Sequence, residues 1–363
     1  MFSELNEMKV ILFDLGNTLI RVDPFEKGPM VNWANLALNE NSIPETLEQL
    51  ASDYSLYIAT NAQDSNYGQM LEALKRVGIC SYFNDVFMKQ TVGVEKSTPE
   101  YYQRILEKTK CSKDQVLMVG DDYLRDVLIP HSIGIQTCFY NPALKNEINS
   151  VSPIQNIECF QLKNLQGKLK KMLPSIETCF NWLIENGASH KLLMHVQTVA
   201  AISYDLSLRI AMHGHKIDPI LAHRGGLLHD LDKLHPDSSR YMHGKIGAKL
   251  LRERGYPALA EIARRHTPAW QDEESIPITW EQKLVFYADK LVKGSQVVSL
   301  SERFADLKVR YPMSREIYRL NAPKIRALEE EIMNVIDCSA EGYLDIIKRK
   351  LLTGSTQPPN KSN

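Results

Sequence analysis

The chain has no excess of either charge: 43 lysines and arginines stand against 44 aspartates and glutamates in 363 residues, for a net charge of −1. Without a basic field to release counterions from a phosphate polymer, nucleic acid is disfavoured as the main ligand. Cysteine is sparse, and Cys80, Cys111, Cys138, Cys159, Cys179 and Cys338 include no CxxC pair. With no basic-then-apolar leader at the N-terminus, that usage fits a reducing cytoplasm. No apolar run reaches the length needed to span a bilayer, so membrane insertion is not expected. What is present is ordinary for a globular protein: 44% hydrophobic and 24% charged residues, in a chain longer than one compact core usually fills. Two domains are expected. Histidine is unevenly spread: of ten, only His131 precedes residue 190, and the rest fall between His190 and His266. Metal or proton chemistry is expected there.

Residues 9–13 form a short apolar run ending at Asp14, which reads as a buried parallel strand with polar groups at its C-terminal edge. Similar runs at 55–59, 86–89, 115–119 and 134–140 alternate with helical periodicity at 67–77 and 99–108. This alternation predicts an open α/β sheet, with ligands beyond the C-terminal strand ends where Asp14, Thr60 and Asp121 converge. Residues 141–153 are polar and turn-rich, and a weak last unit at 154–173 precedes a boundary near Pro174. From Ser175 to about Leu352 the pattern is almost wholly helical. Ser189, Asp218 and Pro257 mark helix starts, while Gly225, Gly226, Gly244 and Gly247 interrupt the propensity.

The N-terminal half offers a carboxylate (Asp14), a hydroxyl (Thr60), a lysine (Lys96) and an acidic group (Asp121, Asp122 and Asp126). Phosphoryl transfer needs such a set: one carboxylate to attack phosphorus, another to hold Mg²⁺, a hydroxyl and an ammonium to neutralise the equatorial oxygens. The motifs FDLGNT at 13–18, IATN at 58–61, Lys96 before a helix and VGDDYLRD at 119–126 resemble the haloacid dehalogenase superfamily in type and order. The resemblance covers roughly residues 8–165 and implies a HAD-like Rossmannoid parallel sheet. It implies Asp14 as nucleophile and Mg²⁺ ligand, the Gly16 carbonyl and Asp121 as further ligands, and Thr60 and Lys96 as catalytic phosphate binders. Asn61 would contact substrate, and Asp122 and Asp126 would support the metal from nearby.

Two departures shape the expected chemistry. Phosphatases of this superfamily carry a leaving-group acid two residues after the nucleophile, and here that position is Gly16. General acid help contributes about 10²–10⁴-fold, so this site is expected to be slow, to draw the proton from elsewhere, or only to bind phosphate. The interval from Ile20 to Thr46 is also too short for a large helical cap.

In the C-terminal half His195, the pair His229-Asp230, His243, His266 and Asp289 all fall in or beside helical patterns. Imidazole and carboxylate without thiolate suit Fe, Mn, Co, Zn or Mg rather than a structural zinc knot. Lys233, four residues after His229, would share its helical face and could grip a substrate phosphate. The segments HVQTVA, LLHDLDK, MHGKIGA, RRHTPA and YADKLV resemble the HD phosphohydrolase superfamily across roughly residues 189–295. The His-HD-His-His-Asp form is most similar to the two-metal subgroup that includes dinucleoside-tetraphosphate hydrolases, although Pro268-Ala269 stand where that subgroup tends to show glycine. The resemblance implies His195, His229, Asp230 and Asp289 around one metal and His243, His266 and a bridging Asp230 around a second. The cofactors would be one or two ions of Fe, Mn, Co or Mg there, and Mg at the HAD-like site.

His190, His213, His215, His223 and His235 read as surface or satisfied-core residues, with His235 and Asp232 also able to stand behind the ligands. Gln271–Glu274 reads as a solvated acidic loop, and the apolar stripes of 317–346 as core. The expected organisation is a HAD-like domain without a large cap at 1–173, an all-α HD domain at 174–353 and a disordered tail at 354–363. The expected function is hydrolysis of a small phosphorylated metabolite, a nucleotide first, at the HD site. Two alternatives stay open: the HAD-like site as main phosphatase with the HD domain as its cap, or a HAD-like sensor regulating the HD domain.

Overall fold

The computed structural model describes residues 7–142, 144, 151–237, 242–267, 276–310 and 315–353. The expected tail at 354–363, the acidic loop at 271–274 and Pro268-Ala269 lie outside them. The chain divides into two compact units, one formed by 1–143 with 154–172, the other by 144–153 with 173–363.

The first unit is built on six parallel strands: β1 (Val10–Phe13), β2 (Ser55–Ala59), β3 (Asp85–Phe87), β4 (Val116–Gly120), β5 (Gln136–Tyr140) and β6 (Ile157–Cys159), in the order β3-β2-β1-β4-β5-β6. All of β1 and β4 are buried, because each is a continuous apolar run sandwiched on both faces. One face packs Ile11, Phe13, Ile58 and Val119; the other packs Val10, Leu12, Ala59 and Met118. The helices are α1 (Ile43–Ala51), α2 (Tyr67–Arg76), α3 (Lys89–Val92), α4 (Pro99–Thr109), α5 (Ile129–Ser132) and α6 (Leu165–Leu169). A capping box at Asn66 and Gln69 starts α2. The chain order reverses between β1 and β4, which opens a crevice at their C-terminal ends. The strand expected at 86–89 is shifted to 85–87, because Met88 begins the turn into α3.

The second unit is helical: α7 (Ile176–Glu185), α8 (His190–Met212), α9 (Pro219–Leu228), α10 (Lys245–Glu253), α11 (Pro257–Arg265), α12 (Trp280–Lys290), α13 (Leu300–Arg310), α14 (Arg315–Val335) and α15 (Ala340–Thr353). Ser189 and Asp218 cap α8 and α9 through their side chains, and Pro257 opens α11. The glycine pair of α9 is where two helices approach closely. A Cβ on Gly226 would stand 2.5 Å from Ala200 Cα of α8, and one on Gly225 would stand 2.6 Å from Ile262 Cδ1 of α11. One interruption was not expected: Val292–Lys293 and Gln296–Val297 form a two-stranded antiparallel hairpin, β7 and β8. Among the described residues no helix is long and apolar enough to cross a membrane.

Candidate functional site

In the first unit Asp14 follows β1 directly, and its N–H continues the ladder onto Val119 O at 2.8 Å. That places its carboxylate beside Asp121 and Asp126, and the three offer oxygens within 4.8 Å of one another. Asp126 reaches this point because the turn after Asp122 is a π-helix over Tyr123–Leu128, whose geometry aims residue 126 back at the sheet. Gly120 is required there, since a Cβ would collide with the Asp126 carboxylate. Lys96 is almost wholly buried, and its ammonium donates to Asp14 Oδ1 at 2.5 Å and Ala59 O at 2.7 Å and lies 2.7 Å from Asp126 Oδ1. Burial pushes the Asp126 carboxyl up to about 7, against the pull of Lys96.

The other expected groups are placed as follows. Thr60 is buried at the end of β2, its hydroxyl accepting from Ala62 N–H at 3.3 Å. Asn61 accepts from the Lys96 N–H at 3.3 Å, which ties the lysine loop to the strand end. Asp122 turns to Arg125, whose Nε donates to it at 2.8 Å, rather than to the acidic cluster. Gly16 lies in the turn after Asp14, where a Cβ would stand 3.1 Å from Val22 Cγ2. Thr18 was not anticipated: it is fully buried and its hydroxyl lies 3.4 Å from Asp14 Oδ2 and 3.3 Å from Asp121 Oδ1. Its signal was its place in the FDLGNT motif itself.

In the second unit the six expected residues come together from the ends of five elements. His229 ends α9 and His266 ends α11, where the last helical carbonyls have no partner of their own. Each ring turns back onto one: His229 Nδ1 donates to Gly226 O at 2.7 Å and His266 Nδ1 to Ala263 O at 2.5 Å. His195, in the second turn of α8, donates from Nδ1 to Gly294 O of the hairpin at 2.9 Å. His243, just before α10, donates from Nδ1 to Asp232 Oδ1 at 2.8 Å. Carbonyls and carboxylates only accept, so all four rings carry a proton on Nδ1 and turn Nε2 inward.

Those Nε2 atoms surround Asp230. One of its oxygens lies 3.0 Å from His243 Nε2 and 3.4 Å from His266 Nε2, the other 3.5 Å from His229 Nε2 and 3.7 Å from His195 Nε2. Asp289 Oδ1 stands 3.1 Å from His195 Nε2 and 3.7 Å from His229 Nε2. Two groups, His195-His229-Asp230 and Asp230-His243-His266, are each tight enough to hold an ion. Against the cost of burial, Lys233 and His229 hold the Asp230 carboxyl well below its usual range, and Lys290 and the histidines do so for Asp289. Burial carries His266 down to about 4; His243, against its own burial, is carried up to about 9 by Asp230 and Asp232.

The residues fit a divalent ion by a test internal to the structure. His229 Nε2 and Asp230 Oδ1 are buried with no hydrogen-bond partner, and the Nε2 atoms of His243 and His266 face each other at 3.0 Å. Imidazole nitrogens and a carboxylate oxygen converging so closely are a donor set for a cation.

Lys233 departs from expectation. Helix α9 stops at Leu228, so Lys233 lies in the following turns rather than on the face of His229, and its Nζ approaches Asp230 Oδ2 at 2.8 Å. His235 faces Asp237 and stays outside the cluster. Lys290, not singled out beforehand, is buried against Asp289 Oδ2 at 2.5 Å and the His266 carbonyl at 3.2 Å. His190, His213 and His215 are exposed, and His223 is buried with its Nδ1 accepting from Arg224 at 2.7 Å.

The sheet with its acidic crevice and the helical unit with its histidine cluster define a two-part hydrolase. Residues 36–140 match the family model described as haloacid dehalogenase-like hydrolase, a span that begins after Asp14, and residues 192–294 match that of the HD domain. The chain therefore fuses a HAD-like hydrolase domain to an HD domain, both of divalent-metal-dependent families that act on phosphate esters. The Uncharacterized protein MJ0778 of Methanocaldococcus jannaschii is 32% identical over 155 residues, 38% of this chain and 90% of that protein, and the chain belongs to its family. Pyrimidine 5'-nucleotidase PynA of Streptococcus pneumoniae is 29% identical over 111 residues, 30% of this chain and 45% of PynA, so the chain spans under half of that relative. Among solved structures, an uncharacterized protein from Listeria monocytogenes aligns with TM-score 0.40 and 22% identity, over 45% of this chain and 99% of the other.

Proposed function

We propose that the chain is a metal-dependent phosphohydrolase whose main hydrolytic centre is the His195-His229-Asp230-His243-His266-Asp289 cluster. The observation that carries this reading is the convergence of four histidine Nε2 atoms on the two oxygens of one buried aspartate. Bound there, one or two ions of Fe, Mn, Co or Mg would polarise a phosphoryl oxygen and supply a nucleophilic water at neutral pH. The chain's own residues do the rest. Asp230 divides its oxygens between the two halves of the cluster, Asp289 completes the half that holds His195 and His229, and half-exposed Lys233 offers an ammonium to an incoming phosphate. The substrate is a phosphate ester or anhydride of a small metabolite. A nucleotide is the first class to try, supported by the likeness to a pyrimidine nucleotidase, and dinucleoside tetraphosphates are included on the histidine pattern.

A second reading makes Asp14 the main nucleophile, and the assembled Asp14-Asp121-Asp126-Lys96 group favours it. There Lys96 and Thr60 would bind phosphate, Asn61 would keep Lys96 in place, and Asp121 with the Gly16 carbonyl would hold Mg²⁺. Without a carboxyl at 16, the same group could bind phosphate and signal rather than cleave. Hydrolysis of a nucleotide and sugar-phosphate panel by wild type, His229→Ala/Asp230→Ala and Asp14→Asn separates the readings. Loss of activity in the double variant with retention in Asp14→Asn is expected. The converse moves the main site to Asp14, and tight phosphate binding without Asp14-dependent turnover favours the sensor.

A further inference from the structure

Three of the four inward-facing histidines are oriented by main-chain carbonyls that come with the fold: Gly226 O, Ala263 O and the hairpin's Gly294 O. His243 is the exception. It precedes α10, where no helix has yet supplied a carbonyl, and its Nδ1 is held by the side chain of Asp232. That carboxylate is fully buried and fixed: Oδ1 takes the His243 Nδ1–H at 2.8 Å, while Oδ2 takes the N–H of Gly244 at 2.8 Å and of Gly247 at 2.9 Å. One residue therefore ties the first turn of α10 and the ring of His243 into a single arrangement.

From this, and resting on the metal reading above, the geometry points to Asp232 as the positioning residue that decides whether the Asp230-His243-His266 position can take an ion. A carboxylate can only accept, so it keeps a proton on His243 Nδ1 and leaves Nε2, the nitrogen that faces Asp230 Oδ1 and His266 Nε2, each at 3.0 Å, as the one an ion can displace a proton from. The isosteric amide reverses this. In Asp232→Asn the single oxygen satisfies more donors by turning to the two glycine N–H groups, so the amide NH₂ faces His243 Nδ1. The ring must then accept at Nδ1 and carry its proton on Nε2, where it cannot ligate. The His195-His229-Asp230-Asp289 half has no contact of this kind with Asp232 and keeps its ion.

The test counts Mn²⁺ ions per chain in an Asp121→Asn background, which removes a ligand from the N-terminal cluster, and records the Mn²⁺ electron paramagnetic resonance spectrum. Wild-type histidine unit should hold two exchange-coupled ions. Asp232→Asn should bind the second ion about 10–100-fold more weakly and give the spectrum of an isolated ion, as His243→Ala should. Two coupled ions in a folded Asp232→Asn protein, or a single ion in the otherwise wild-type unit, overturn the assignment while leaving the metal reading standing; no ion in the otherwise wild-type unit sinks both. Should Asp232→Asn fail to fold, ¹⁵N–¹H correlation of the Zn²⁺-loaded wild-type protein decides. A proton on His243 Nδ1 is expected, and its absence overturns the assignment.

Discussion

Lys96 sits among Asp14, Asp126 and the Ala59 carbonyl with 1% of its side chain exposed, so its charge is compensated within the protein rather than by water. Removing the ammonium while the carboxylates stay leaves them buried and unpaired, a change that costs about 3–5 kcal/mol. Lys96→Met should lower the urea midpoint of the first unit accordingly, and an unchanged midpoint would show that solvent or another cation screens the pair. His223 presents the opposite charge problem. Burial first, and Arg224 second, depress its pKa well below the ordinary range, and its Nδ1 accepts from the guanidinium and cannot also hold a proton. Because the folded-state value lies below the unfolded one, this group's stability is complete above the ordinary value of about 6.5 and is lost as pH falls below it. His223→Asn should remove up to one proton from the acid slope, about 1.4 kcal/mol per pH unit, in urea titrations between pH 6.5 and 5. A slope identical to wild type would mean that His223 is protonated in the fold. The sequence separated His223 from the metal-type histidines by its place outside the ordered pattern, but it could not show the tautomers, which depend on acceptors distant in the chain.

At the scale of the element, the glycine pair of α9 shows how a local rule can mislead. Each glycine costs a helix about 1 kcal/mol relative to alanine, so Gly225 and Gly226 read as interruptions. In the fold they let α9 lie against the backbone of α8 and the side chains of α11, which brings His229 beside His195 and His266, with ring centroids 5.5 and 5.0 Å apart. Gly226→Ala should therefore destabilise by about 1–3 kcal/mol net of the propensity gained, with loss of metal binding at lower temperature. Gly167→Ala in α6, where a Cβ meets nothing within 4 Å, should stabilise by up to about 1 kcal/mol. Chemical denaturation of the pair checks both signs. The strands were legible because buried parallel strands are unbroken apolar runs, as Val10–Phe13 and Val116–Gly120 are. The hairpin at 292–297 was not, since two-residue strands are too short to show a period. Nor was the end of α9 before Lys233, because the turn there is set by the packing of His229 and Asp230 rather than by a proline or a capping glycine.

For the whole molecule, the two sites lie in separate compact units, each with its own buried apolar clusters. In the helical unit the buried Asp230 and Asp289 face four imidazoles, the buried Lys290 and the half-exposed Lys233. An ion that binds this set in the folded unit alone stabilises it by RT ln(1 + [M]/Kd), about 2.7 kcal/mol when the ion is 100-fold above its Kd. For a unit of this size that corresponds to roughly 5–10 °C in Tm. Calorimetry with and without Mn²⁺, and again after chelation, should show this shift in the transition of the helical unit. His229→Ala/Asp230→Ala removes ligands from both halves of the cluster, so it should abolish the shift even if its own metal-free Tm changes. A shift of the same size in that variant would place the stabilising ion elsewhere in the chain, and Asp121→Asn would then show whether it is the acidic crevice of the sheet that holds it.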